Sequence, residues 1–280
     1  MTEKELAKAE LLPISKLHPF EGHPFQVRDN EEMDNLVESI KSQGVLSPLV
    51  VRPLKSGEYE IVSGHRRLHA CKLAGMETIP ALVYEMDRDA ATIALVDSNL
   101  HREHILPSER AFAYRMKLEA IKHQGVASRH DVGKSESADL ISDKTGGRQV
   151  QRYVRLTYLE RDLLNMVDEG KIALTPAVEL SYLKPEEQQV LVDAMEEGDC
   201  TPSLSQAVQM KKLSQLNALS PEIIDKLMAQ PKANQQEKIS FRMDDLRRYF
   251  PKEYDAVKIQ NTILKLLNDY QKKRKRDISR

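Results

Sequence analysis

The chain has 280 residues, enough for two or three domains, and 40% of them are hydrophobic. Trp is absent and aromatics make up 5%, which excludes large aromatic cores; mean hydropathy is -0.52, as in a soluble, helix-rich protein. No apolar run approaches the ~18 residues of a membrane helix, and Met1 to Glu10 lack the apolar stretch of a signal peptide, so a cytoplasmic protein is expected. Cys71 and Cys200 show no metal-ligand spacing and read as two plain thiols. The net charge of -1 does not mark a nucleic-acid binder, but its distribution matters more than its sum. Residues 240–280 hold 12 Lys and Arg against 6 Asp and Glu, and residues 140–161 hold 5 against 2.

In chain order, Glu32–Gln43 places Met33, Leu36, Val37 and Ile40 on one helical face, with Gly44 as its stop. Leu46–Arg52 reads as a buried strand, Lys55-Ser56-Gly57 as a turn, and the alternating Glu58–Ser63 as a second strand. A helix follows Gly64 up to Ala74, and Ile79–Tyr84 reads as a third strand. Asp87–His104 reads as a helix, and Ile105–Glu109 opens another with Ser108 as its cap. Residues 11 to about 104 thus form an α+β unit. Beyond it the pattern is all-helical: Ala111–His123, a polar loop at 124–137, Ala138–Lys144, a Gly146-Gly147 turn, and Arg148–Tyr158. Helices are then predicted at Glu160–Asp168, Pro176–Tyr182, Pro185–Glu196, Leu204–Leu216 and Pro221–Met228. Pro221–Met228 and Met243–Lys273 read as a last helical unit, and Gln230–Glu237 as a linker.

Four constellations could carry chemistry. Ser63-Gly64-His65-Arg66-Arg67 stands where a strand meets a helix. Free backbone N–H groups, a glycine that admits a close ligand and two arginines describe a phosphate site. The plain alternative is a glycine turn followed by solvated arginines. Asp97–Glu103 sets oxygen ligands beside Arg102, a chemistry suited to Mg²⁺ on phosphates or, equally, to a polar helix face. Ala138–Lys144, the glycine turn and Arg148–Tyr158 make a helix-turn-helix pattern. Its second helix carries Arg148, Gln149, Gln151, Arg152 and Arg155, side chains of the kind that read guanine and adenine edges, with Thr145 at its entrance. Lys272–Arg276 is a run of five basic residues, suited to phosphates without sequence preference or to a solvated tail. The stripe Val257, Ile259, Ile263, Leu264, Leu266, Leu267 and Tyr270 could build a dimer helix or an intramolecular core helix.

Taken together these pieces resemble the ParB family of DNA-segregation proteins, from about Ile14 to Leu213. Gln26-Val27-Arg28 is similar to the family's early Gln-Pro-Arg motif, with Val27 in place of Pro. Gly44–Arg52 and Ile61–Ala70 are similar to its first and second boxes, and Asn99–Glu103 to its third. The resemblance implies an α+β ParB/sulfiredoxin-like domain over 1–104. It implies an all-α helix-turn-helix domain over 105–229; past about 215 the chain lacks a clear match to the family's dimerisation domain, and the residue pattern alone gives a helical C-terminal region over 238–280. It further implies that Arg28, Ser63, Gly64, His65, Arg66, Arg67, Asn99 and Arg102 line a CTP site, with Asn99 toward Mg²⁺. The same likeness implies a homodimer that loads at a centromere-like site on double-stranded DNA, slides as a clamp and meets a ParA-type Walker ATPase. His65 and Ser98 stand where the family usually has Glu, so the resemblance implies nucleotide binding with at most weak CTP hydrolysis. Two other readings remain open at this stage. One is a helix-turn-helix transcriptional regulator with a degenerate nucleotide domain. The other is an enzyme on the sulfiredoxin fold, but the Ser63-Gly64-His65 turn lacks the reactive Cys, and no paired carboxylates suit a nuclease.

Overall fold

The computed structural model describes residues 9–102, 104–127, 146–230, 243–251 and 253–278. They fall into two compact units, 1–230 and 231–280. The first half of the larger unit holds β1 (Ala9–Pro13), a 3-10 turn at Ile14–Lys16, β2 (Leu17–His18), α1 (Glu31–Gln43) and β3 (Leu49–Pro53). It continues with β4 (Tyr59–Ser63), α2 (His65–Leu73), β5 (Thr78–Val83) and α3 (Arg88–Leu100). The strands form one mixed sheet in the order β1-β5-β3-β4-β2. β1 and β5 are antiparallel, as are β3 and β4; β3 runs parallel to β5 and β2 parallel to β4.

The helix starts follow local chemistry: the Asn30 side chain accepts from Met33 N–H, and the Asp87 side chain from Ala90 N–H. Successive residues of β4 bury on opposite faces of the sheet, as the pleat requires. Ile61 joins the core with Met33, Val37, Ile40 and Leu68 of α1 and α2, whereas Val62 joins Phe20, Leu95, Val96 and Ala113. β4 is covered on both faces and does not keep the predicted alternation: Glu60 is also buried, its Oε2 accepting from Arg52 Nε at 2.6 Å.

Several predicted elements shift. β3 begins at Leu49 rather than Leu46; Leu46 is exposed, and Pro48 has no N–H for a ladder. α3 ends at Leu100 rather than His104. β1 and β2 were not predicted at all. α4 (Pro107–Ala127) runs through the start of the predicted loop. Ser108 does not cap it; instead Asp168, 60 residues on, accepts from both the Ser108 N–H and hydroxyl. The predicted helix at 138–144 lies outside the described residues, as does most of the predicted linker.

After α4 come α5 (Gly147–Leu156), α6 (Arg161–Asp168), α7 (Leu174–Leu180), α8 (Pro185–Gly198), α9 (Leu204–Gln215) and α10 (Pro221–Met228). Leu156, Leu163, Leu180, Leu191, Met210 and Ile224 from these helices are fully buried in a common core. α10 therefore packs into the larger unit and does not belong with the last helical segment. The smaller unit holds α11 (Met243–Leu246) and α12 (Ala256–Ile278), not one continuous helix. Pro251 lies between them, and proline interrupts a helix ladder. Ile259 is buried, whereas Val257, Leu264, Leu266, Leu267 and Tyr270 of the same stripe are exposed. No described helix is long and apolar enough to cross a membrane.

Candidate functional site

β4 delivers Ser63 to a sharp turn, and α2 starts immediately after it. Gly64 sits at φ +105°, where side chains other than hydrogen are strained. A Cβ there would lie 2.9 Å from Leu49 Cγ and 3.2 Å from Arg67 Nη2, so the turn also has no room for one. Gly64 gives α2 no side-chain cap, and the first N–H groups of a helix have no partner within it. The partial positive charge of that helix end therefore faces outward.

Two open clefts meet at this point. One, about 740 Å³, is lined by Gln26, Arg28, Asn30, Arg66, Arg102 and Glu109, among others. The other, about 620 Å³, is lined by Ser63, Gly64, Arg66, Arg67, Asn99 and Arg102, among others. Arg66, Arg102 and Glu32 line both. Desolvation, then the like charge of Arg66, pull the Arg102 guanidinium below its ordinary pKa. Two cations held against each other in a concave site are relieved by an anion. Arg66 Nη2 meets Glu32 Oε2 at 3.0 Å, and Arg28 reaches Gln26 Oε1 at 3.3 Å, both near the surface. Arg67 is committed differently: its Nη1 donates to Ser47 O at 2.5 Å and Pro48 O at 2.6 Å, tying α2 to the loop before β3.

Of the sequence-proposed nucleotide residues, Arg28, Ser63, Gly64, Arg66, Arg67, Asn99 and Arg102 are thus brought to one pair of clefts. His65 lines neither. It is 9% exposed, accepts the Phe20 N–H at Nε2 (3.3 Å), and its ring lies 3.8 Å from that of His23. Burial, the His23 ring and Arg102 push its pKa down to about 3, so it is a neutral acceptor near neutral pH. Asn99 is buried and donates from Nδ2 to Leu95 O at 2.7 Å and Ser98 Oγ at 3.2 Å, which leaves Oδ1 for a ligand. Asp97 turns away to α4, where Lys117 Nζ meets it at 2.5 Å. Glu109, passed over in the sequence, joins the cleft across 83 residues: Oε1 accepts from Gln26 N–H at 2.8 Å, Oε2 from Leu106 N–H. Its place after Pro107-Ser108 signalled a helix start, but nothing local tied it to Gln26.

The second candidate surface is α5. Val150 and Leu156 are buried, while Arg148 and Gln151 are exposed. Arg152 is half-buried and donates to Gln149 Oε1 at 3.1 Å and Thr175 Oγ1 at 2.7 Å. Arg155, in the last turn, donates from Nε to Ser181 Oγ and from Nη2 to Ser181 O. Thr145 lies outside the described residues, and so do the side chains of Lys273–Arg276.

Residues 1–100 match the ParB N-terminal domain family. The nucleoid occlusion protein of Listeria monocytogenes serotype 4b (strain CLIP80459) is 34% identical over 195 residues, 69% of this chain and 64% of that protein. The chromosome-partitioning protein Spo0J of Thermus thermophilus is 35% identical over 179 residues, 63% of this chain and 61% of that protein. The chain thus spans less than two thirds of the length of these relatives. A truncated ParB of Caulobacter crescentus, solved in complex with the centromeric parS site, is 23% identical and covers 72% of this chain and 98% of its own, with a TM-score of 0.44. The mixed sheet and the glycine turn with its arginine-lined clefts constitute a ParB-type N-terminal domain. Residues 1–100 thus carry a ParB N-terminal domain, and the chain as a whole is similar to these ParB-type proteins.

Proposed function

We propose that this chain is a CTP-dependent, sequence-specific DNA-binding partition protein, associated with DNA in the cell. The observation that carries the nucleotide half is that Arg66 and Arg102 line the cleft at the uncapped start of α2 and share the adjoining cleft with Arg28, an arrangement suited to a polyphosphate. CTP over other nucleotides is supported by the family resemblance. The DNA half is supported by the basic α5 helix and by the relatives, which are named nucleoid occlusion and chromosome-partitioning proteins. The exposed apolar stripe of α12 supports a homodimer, which two half-sites would require. Clamp closure and a ParA-type Walker ATPase partner belong to the same reading by family resemblance.

The donor set suits a phosphate-bound Mg²⁺ better than a protein-held one. Bound there, the ion would supply positive charge to offset that of the phosphates. Asn99 Oδ1 is a neutral ligand for it, while Asp97 is given to Lys117 and Glu109 to two backbone N–H groups. Among the described residues no three His, Cys, Asp or Glu cluster to hold a metal. With His65 and Ser98 where the family usually has Glu, hydrolysis should be slow or absent. Calorimetry with CTP, ATP, GTP and UTP in Mg²⁺ tests the reading: CTP should bind and the others much less. Equal or absent binding of all four would overturn it in favour of a regulator with a degenerate nucleotide domain. Phosphate release as fast as in a carboxylate-bearing relative would refute the slow turnover.

A further inference from the structure

Arg148, Gln151, Arg152 and Arg155 project from one side of α5, and residue type does not separate them. Their surroundings do. Arg155 stands about 12 Å along the axis from Gly147, at ~1.5 Å per residue. Recognition helices read bases mainly with their N-terminal residues, so Arg155 is at the far end. Its guanidinium lies 4.4 Å from the Tyr158 ring centroid and 3.9 Å from that of Tyr182. Its Nε and Nη2 form the two-pronged edge an arginine would turn to a guanine, and both prongs are used: Nε on Ser181 Oγ at 3.1 Å, Nη2 on Ser181 O at 2.6 Å. Ser181 is well placed to accept. It is buried, its own hydroxyl proton goes to Val178 O at 2.7 Å, and it is the C-cap of α7, a position whose carbonyl has no partner within the helix.

The contact continues into the bundle. Lys211 Nζ of α9 lies 3.8 Å from the same Tyr182 ring and pairs with Glu179 of α7 at 2.9 Å. Three helices are thus joined through one tyrosine. Among the described residues, Arg148 near the start of α5 and Gln151 in its middle are exposed and have no comparable anchorage.

We propose that Arg155 is a positioning residue: bound between Tyr158, Tyr182 and Ser181, it fixes the angle at which α5 presents Arg148, Gln151 and Arg152 to DNA. This rests on the DNA reading proposed above. Swinging Arg155 to a base would forfeit two hydrogen bonds and two ring contacts at once, whereas leaving it in place costs the interface nothing.

The test uses the full-length chain and a randomised DNA duplex library, from which the wild type selects its own consensus. Arg155→Ala, Arg155→Lys, Tyr182→Leu and Arg148→Ala are then measured on that consensus, on every single-base variant of it and on scrambled duplex, below each variant's melting temperature. A helix held at the wrong angle weakens all base contacts together, so Arg155→Ala should keep the same consensus. Its preference should flatten at every position, and specific affinity should fall on the order of tenfold, about the worth of one base contact. Binding to scrambled duplex should change little. Tyr182→Leu should reproduce this although it removes no cation, and the double variant should be no worse than the worse single. Arg155→Lys, which keeps a charge between the rings but not the fork, should recover part of the loss. Loss of preference at a single base pair in Arg155→Ala, the pattern expected of Arg148→Ala, would make Arg155 a reader and overturn the inference alone. Additive effects of Arg155→Ala and Tyr182→Leu would also overturn it. A wild type that selects no sequence would overturn the DNA reading and this inference with it.

Discussion

His65 offers a perturbation whose size follows from the structure. The ring is buried against His23, takes the Phe20 N–H at Nε2, and has Arg102 within electrostatic reach, so its pKa falls from 6.5 to about 3. The His23 pKa is lowered too, chiefly by burial, and acts in the same direction. In the unfolded chain His65 takes up its proton as pH falls through 6.5; in the folded chain it stays neutral down to about 3. The stability this neutral imidazole supports is complete above pH 6.5 and is lost progressively as pH falls from there toward 3. Between pH 7 and pH 5 the unfolded state gains about three quarters of a proton that the folded state refuses, and the integrated loss is about 2 kcal/mol. Urea unfolding of the wild type and His65→Gln at these two pH values measures it. The substituted side chain cannot titrate, so the variant's loss should be smaller by about 2 kcal/mol than that of the wild type. The same pH dependence in both proteins would show that His65 is not held neutral in the fold.

Three further outcomes are expected. Gly64→Ala should destabilise by about 2 kcal/mol and abolish triphosphate binding in calorimetry, because φ +105° is strained and the Cβ meets Leu49. Arg102→Ala should weaken triphosphate binding by about 1.5–3 kcal/mol with little effect on melting, whereas Arg67→Ala, which frees Ser47 and Pro48, should lower the melting temperature as well. Asp97→Ala should cost about 2–3 kcal/mol in denaturant unfolding by leaving Lys117 buried and unpaired, and adding Lys117→Met should recover much of it.

Much of this protein is written locally. Asn30 and Asp87 mark the starts of α1 and α3, Pro221 opens α10, and Met33, Val37 and Ile40 define the buried face of α1, all by interactions spanning a few residues. Gly64 and the arginines after it were legible as a phosphate turn for the same reason: a strand, a glycine and a helix start are consecutive in the chain. The two-residue β2 has no signal of its own; it exists because β4, 42 residues on, offers it an edge at Leu17↔Tyr59 and His18↔Glu60. β1 likewise depends on β5. Asp97 and Ser98 looked equivalent as oxygen ligands until Lys117, 20 residues away, claimed one of them. His65 followed Gly64 into a motif that faces a cleft, yet its side chain is drawn inward by Phe20, 45 residues earlier. Arg148 and Arg155 share a residue type, a helix and a face, and nothing in the sequence distinguishes them. Sequence determines which backbone states and which faces are favourable, because those preferences act within a turn or a strand. Which charges remain free for a ligand is decided by partners 20, 26 or 83 residues distant, since a buried polar group must find an acceptor or donor wherever the fold brings one.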